Sequence, residues 1–198
     1  MLFRSPGGPG DGPPTLGMHT FPLPLERYAR LFREGARLVV PATRHVPAVC
    51  VDPRLKQRSR LHWWLAEQEA HLVDPAASAL LLDGNGCVTE TAAANFLVVR
   101  GGVVLSPPRQ GILGGISLQT VEELCGELGI PFAEQPLRLD DCLPADEALL
   151  ASTPYCLAGV RRLQGTDVPW PGSVWQRLLR AWSERVGVDI RRQILPPA

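Results

Sequence analysis

Apolar and polar residues alternate along this chain with a period that changes several times, and each change predicts an element. The stretch "RSRLHWWLAEQEAHL" (residues 58–72) has helical spacing, with Leu61, Trp64, Leu65 and Ala66 as its expected apolar side. "LQTVEELCGELG" (118–129) repeats that period through Leu118, Val121, Leu124, Cys125 and Leu128, and Gly129 supplies a stop. Residues 175–190 predict a closing amphipathic helix, with Trp175, Leu179, Trp182 and Val186 on one face. Residues 25–37 suit a short helix, leading into a strand at "ARLVVP".

Other runs are short and β-rich. "ALLLD" predicts a buried strand closed by the turn "GNG". "NFLVVR" and "VVLSP" flank Gly101-Gly102, a strong hairpin signal. "FAEQPLRL" and "ALLAS" add two further strands, with "DDCLPADE" a short helix or turn between them. At the start, "SPGGPGDGPP" is Gly/Pro punctuation that supports neither helix nor interior strand, so residues 1–24 are expected as loop. The fold class expected is α+β, a mixed sheet packed with helices.

Length allows one large domain, or one domain with an appendage, in 198 residues. Apolar residues make up 45% of the chain, which suits an ordinary core, and the formal net charge is zero. No global field therefore attracts nucleic acid or an acidic membrane. No apolar run is long enough to span a bilayer, and "MLFRSPGGPG" lacks the apolar run of a signal peptide. The five cysteines are odd in number, widely separated and without metal-ligand spacing, so reduced and mostly buried thiols in a cytoplasmic protein are expected, with no metal.

Four places carry candidate chemistry. Lys56 is the only lysine among twenty basic residues, the rest being arginine. A lysine amine can lose its proton and act as a nucleophile, which an arginine cannot; the bland alternative is a surface lysine. Glu90, in "GCVTETAAANF", stands between a strand end and small residues that leave room for a flat ligand, or else it faces water from a turn. "GILGGIS" puts two glycines and Ser117 at a helix start, either a phosphate-binding end or an ordinary serine cap. In "ASTPY", Ser152 and Thr153 offer hydroxyl donors. An amine, a carboxylate, a phosphate-binding helix end and hydroxyls together match pyridoxal 5'-phosphate.

In that order these motifs resemble the fold-type IV pyridoxal phosphate enzymes, or class IV aminotransferases. This family includes branched-chain and D-amino acid aminotransferases and 4-amino-4-deoxychorismate lyase. "DPRLKQRSRLHWWLAEQEA" resembles the catalytic-lysine segment, with Lys56 on the Schiff-base lysine, and "LLLDGNGCVTETAAANFLVV" the segment carrying the ring-nitrogen glutamate, at Glu90. "GILGGIS" resembles the phosphate-binding turn, which assigns Leu113, Gly115, Ile116 and Ser117 to the cofactor. "PADEALLASTPYCLAGV" resembles the last block, with Thr153 on a phosphate-contacting threonine. The likeness runs over residues 21–165.

The resemblance implies the large domain of the D-amino acid aminotransferase-like fold over residues 46–198. Residues 1–45 are expected as the remnant of a small N-terminal domain and its linker, in a chain that begins late or is shortened. It implies amino-group transfer between an amino acid and a 2-oxo acid, with small-molecule substrates, a homodimer, and no nucleic-acid or membrane partner. The alternatives are the lyase reaction or a non-catalytic remnant. The chain departs from the family pattern at two local points. Arg60 or Leu61 stands where many of the aminotransferases have a tyrosine, a feature closer to the lyase branch, and the position places Arg60 among the cofactor contacts. Pro154 follows Thr153, so no backbone N–H is available there for a substrate carboxylate.

Overall fold

The computed structural model describes residues 2–3 and 15–195. A two-residue pair of antiparallel strands, β1 (Leu2–Phe3) and β2 (Thr15–Leu16), precedes the main body; the Gly/Pro run of residues 5–14 lies outside the described residues. A 3-10 turn, Leu25–Tyr28, runs into α1 (Ala29–Glu34) and then β3 (Ala36–Val39). After a long loop come α2 (Leu61–Val73), β4 (Ser78–Leu82), β5 (Val88–Thr91), β6 (Asn95–Arg100) and β7 (Val103–Ser106). A 3-10 turn at Arg109–Gly111 leads to α3 (Ile116–Glu127), β8 (Phe132–Glu134), α4 (Leu139–Cys142) and β9 (Glu147–Ser152). The chain continues through β10 (Cys156–Leu163), β11 (Thr166–Asp167), α5 (Ser173–Val186) and α6 (Ile190–Ile194).

The main sheet is mixed, as expected. Its strands follow the order β11-β10-β3-β4-β5-β6-β7-β8, and β9 lies between β10 and β6. That last pairing closes β3, β4, β5, β6, β9 and β10 into a ring, while β7 and β8 extend from β6. β3 runs parallel to both β10 and β4, and β8 parallel to β7; the other pairs are antiparallel. The Gly101-Gly102 hairpin forms as predicted, both glycines having positive φ (55° and 78°), which a two-residue turn matched to strand twist requires.

Period-two alternation sorts the side chains. In β4, Leu80 and Leu82 join the main core with Phe96, Leu97 and Leu149, whereas Ala79 and Leu81 face the other way. There they meet Trp63, Ala66 and Ala70 of α2 in a second apolar cluster. The helices α3 and α5 cover the far side through Leu118, Val121, Leu124, Val174, Trp175 and Leu178.

Several boundaries differ from the sequence expectation. The first helix ends at Glu34, not residue 37, because Gly35 turns the chain at φ 75° where an added Cβ would stand 2.6 Å from Arg161 Cβ. The helix expected near Arg58 starts at Leu61 and buries Trp63, Ala66 and Ala70; Leu61, Trp64 and Leu65 face outward. Strand "FAEQPLRL" shortens to Phe132–Glu134, since Pro136 offers no N–H to a ladder. The closing helix is two: Gly187 adopts a left-handed φ of 68° after α5, and Asp189 caps α6 by accepting the Arg192 N–H. Val186 accordingly leaves the buried face. β5 carries no clear sequence signal, because Thr89, Glu90 and Thr91 are polar yet buried; β10 and β11 are likewise additional to the strands expected from the sequence.

All five cysteines are free, but only Cys125 and Cys142 are buried; Cys50 is exposed and Cys87 and Cys156 are half-buried, so "mostly buried" was too broad. Among the described residues no helix is long and apolar enough to cross a membrane.

Candidate functional site

The centre of the site is the hairpin of β5 and β6. Glu90 and Asn95 are directly opposed across it, so both side chains leave the same face. Three alanines, Ala92 to Ala94, form the turn. The Thr91 hydroxyl closes it, accepting the Ala94 N–H at 2.9 Å and donating to the Ala94 carbonyl at 3.0 Å. Glu90 is therefore not a turn glutamate facing water. It is 7% exposed, and its oxygens accept the Leu113 N–H (3.1 Å) and the Asn95 amide (2.9 Å), with His45 Nε2 at 3.5 Å.

The segment "GILGGIS" follows the 3-10 turn and is anchored by the buried Ile112. The N-cap of α3 is Gly115 rather than Ser117, and no side chain caps the helix. The first N–H groups of α3, at Ile116, Ser117 and Leu118, have no acceptor within their own helix. Ser117 is buried in this first turn, and the Ile116 side chain is exposed, so Ile116 offers its backbone rather than its side chain. This is an electropositive helix end with a hydroxyl beside it, suited to an anion.

Lys56 lies on the loop between β3 and α2, which is folded into successive turns. Cys50 and Val51 N–H bond to the Pro47 carbonyl, and Leu55 N–H to the Asp52 carbonyl at 3.0 Å. The hydrogen bonds that Asp52 accepts from Arg54 lower its pKa from the ordinary carboxylate value, so that carboxylate is engaged locally. Lys56 is exposed, and among the described residues no carboxylate pairs with its amine. Arg60 is the N-cap of α2, where its guanidinium donates to the Ala92 carbonyl and lies 5.9 Å over the Trp63 ring. Thr153 is exposed on the turn from β9 to β10, whereas Ser152 is buried and donates its hydroxyl to the Ala93 carbonyl at 2.5 Å.

These pieces meet in one cavity of about 580 Å³. Lys56, Arg60, Glu90, Leu113, Gly115, Ile116, Ser117 and Thr153, all singled out from the sequence, line it together. So do four side chains that sequence reasoning missed: His45, His62, Trp63 and Asn95. His45 Nδ1 lies 3.0 Å from the Val46 carbonyl, and its ring packs edge-on against Trp63 at 5.3 Å. His62 is shifted below the ordinary histidine value by partial burial, and then by His45 and Arg60 nearby. A signal for Asn95 was present, because it stands across a three-residue turn from Glu90. None existed for His45, whose backbone N–H bonds to the Leu82 carbonyl, far from it in sequence.

Comparison with known proteins decides the family. The family model "Amino-transferase class IV" matches residues 1–163. The chain belongs to the class IV aminotransferases. The branched-chain-amino-acid aminotransferase of Pseudomonas aeruginosa is 27% identical over 146 residues, which cover 73% of this chain and 47% of that protein. Among solved structures, a branched-chain amino acid aminotransferase of Escherichia coli superposes with a TM-score of 0.74 at 27% identity, covering 79% of this chain and 52% of the other. A T.th. branched-chain amino acid aminotransferase with pyridoxamine 5'-phosphate gives 0.73 at 28% identity, covering 78% and 52%. The fold, a mixed and partly closed sheet packed with helices, is that of this family. The chain spans about half the length of the curated relatives it matches.

Proposed function

We propose that the cavity holds pyridoxal 5'-phosphate and that the chain carries the large, cofactor-binding part of an aminotransferase acting on an amino acid and a 2-oxo acid. The observation that carries this reading is the convergence of a free lysine amine, a buried carboxylate and an uncapped helix N-terminus on one cavity. Each matches a different part of the cofactor, and the cavity volume falls within the range usual for small-molecule sites, roughly 300–1,000 Å³. When bound, the cofactor supplies an aldehyde that joins an amine and a ring that accepts electrons from the carbon beside it.

The protein's own part follows from the geometry. The Lys56 amine, with no carboxylate paired to it among the described residues, would hold the cofactor's aldehyde carbon and would serve as the base that takes a proton from the substrate α-carbon at Nζ. Glu90, held by donors from Leu113 and Asn95, would be the acceptor for a ring N–H. The Ile116 and Ser117 N–H groups, with the Ser117 and Thr153 hydroxyls, would hold the phosphate. Leu113 and Gly115 would set the turn beside the cofactor, and Arg60 lines the same cavity from the start of α2. A neutral His62 adds no positive charge beside the Lys56 segment.

Residues 46–198 hold every one of these groups, and β3, within residues 1–45, is a strand of the same sheet. The protein works in the cytoplasm, with no nucleic-acid partner. A second copy of the chain is its partner, through α2. Leu61, Trp64, Leu65 and Leu72 are 67%, 58%, 43% and 88% exposed, and lie on the face opposite Trp63, Ala66 and Ala70. Together they present roughly 400 Å² of apolar surface, about half of what one partner contributes to a stable interface. Sedimentation at micromolar concentration is expected to give a dimer, and Trp64→Lys a monomer; a monomeric parent protein refutes this surface.

Incubation with pyridoxal phosphate, borohydride reduction and peptide mass spectrometry test the main reading. A phosphopyridoxyl group on Lys56 is the expected outcome. Folded protein left unlabelled there returns the chain to the non-catalytic remnant. The lyase alternative rests on Arg60 or Leu61 standing where many aminotransferases have a tyrosine; release of pyruvate from aminodeoxychorismate, without transfer from branched-chain donors, would select it.

A further inference from the structure

Glu90 is on the sheet ring, whereas residues 113–117 are a turn and the start of α3, which no strand pairing ties to β5. Something must set the distance between the carboxylate and the helix end. Asn95 is buried between them, with its amide nitrogen 2.9 Å from Glu90 Oε2 and 2.8 Å from the Leu113 carbonyl oxygen. Both neighbours accept, so only the NH2 side of the amide fits there, and Oδ1 must point away. Leu113 returns its N–H to Glu90 Oε1 at 3.1 Å, which closes a ring of hydrogen bonds through Glu90, Leu113 and Asn95.

Oδ1, turned away, rests against Gly115. A Cβ built at Gly115 would stand 2.1 Å from it. Yet Gly115 has φ −69° and ψ 137°, a conformation open to any residue. Its lack of a side chain is therefore demanded by Asn95 and not by the backbone.

We infer that Asn95 is the positioning residue of this site: it spaces the Glu90 carboxylate from the 113–117 turn, and so sets the distance between the two ends of the ligand the cavity accepts. Only the ligand's identity rests on the cofactor reading above. With Asn95 truncated, the Leu113 carbonyl keeps the short-range Gly115 N–H and the turn keeps one bond to Glu90, so its distance from the sheet is no longer held on both sides.

The test uses the full chain as Asn95→Ala, Gly115→Ala and the double variant, with two readouts. Amide exchange of Leu113 is followed by NMR in cofactor-free protein, and the pyridoxal phosphate Kd by absorbance titration. Loss of one buried hydrogen bond corresponds to about tenfold in each. Asn95→Ala is expected to speed Leu113 exchange and weaken binding by about that factor, with amides in the middle of α3 unchanged. Gly115→Ala, which keeps every hydrogen-bonding group but pushes Asn95 aside, is expected to do the same. The double variant is expected to be no worse than Asn95→Ala alone, because the added methyl no longer meets Oδ1.

Losses that multiply in the double variant, or a Leu113 amide in Asn95→Ala as protected as in the parent, overturn the inference. If Asn95→Ala does not fold, Gly115→Ala with a parent-like Leu113 amide overturns it equally. If the parent chain binds no pyridoxal phosphate, the cofactor reading fails, while the exchange rates still decide the role of Asn95.

Discussion

Glu147 opens β9 as a buried carboxylate, and both of its oxygens are committed to the start of another element. Oε1 accepts the Val174 N–H at 2.7 Å and lies 3.5 Å from the Ser173 hydroxyl; Oε2 accepts the Trp175 N–H at 2.9 Å. The N-cap of α5 itself is Gly172, which has no side chain to give and none to spare, since a Cβ there would lie 1.8 Å from Glu147 Cδ. A sheet residue thus caps the helix. Glu147→Ala strands two buried N–H groups at about 1–2 kcal/mol each and removes about 0.5–1 kcal/mol of charge–dipole attraction. Relief of a buried carboxylate offsets about 1 kcal/mol, leaving a net loss near 3 kcal/mol. For a chain of this size that lowers the melting midpoint by roughly 6–12 °C. Urea and thermal unfolding, followed by fluorescence of the buried Trp175 and Trp182, measure it. Glu147→Gln should fall between, because its oxygen can take one N–H while its NH2 faces the other. A loss under about 1 kcal/mol for Glu147→Ala, with α5 still helical, would refute the tertiary cap.

Gly35→Ala forces a side chain into φ 75° and ψ 156° and toward Arg161 Cβ, so it should cost roughly 2–4 kcal/mol in urea unfolding. Thiol labelling should find Cys50 first; burial pushes Cys125 up to about 11 and Cys142 up to about 12, so both are expected to react only on unfolding. His62 has a folded-state pKa below its unfolded value, so below about pH 6.5 the unfolded chain binds the extra proton. Stability should therefore fall as pH drops through that window, and His62→Asn should flatten the slope in chemical denaturation at stepped pH.

Local chemistry makes much of the protein legible in its sequence. The two-residue Gly101-Gly102 turn dictates its hairpin whatever surrounds it, and the 3.6-residue period of α3 selects its buried face from Leu118 to Cys125. Of the eight candidate site residues, Lys56, Glu90, Gly115, Ser117 and Thr153 stand out by side-chain type at a local spacing, whereas Arg60, Leu113 and Ile116 follow only from the family resemblance.

What only the tertiary structure decided are pairings between segments far apart in the chain. Two apolar stripes of α2 compete in the sequence, and β4 selects the narrower one, with Trp63 and two alanines, because small residues let helix and sheet approach closely. β5 reads as polar because its Thr and Glu side chains are satisfied by partners that no period encodes. The same holds for Glu147 capping a helix 27 residues away, and for His45 beside Glu90. A buried polar residue must find its partners, and the fold, not the residue, determines where those partners stand.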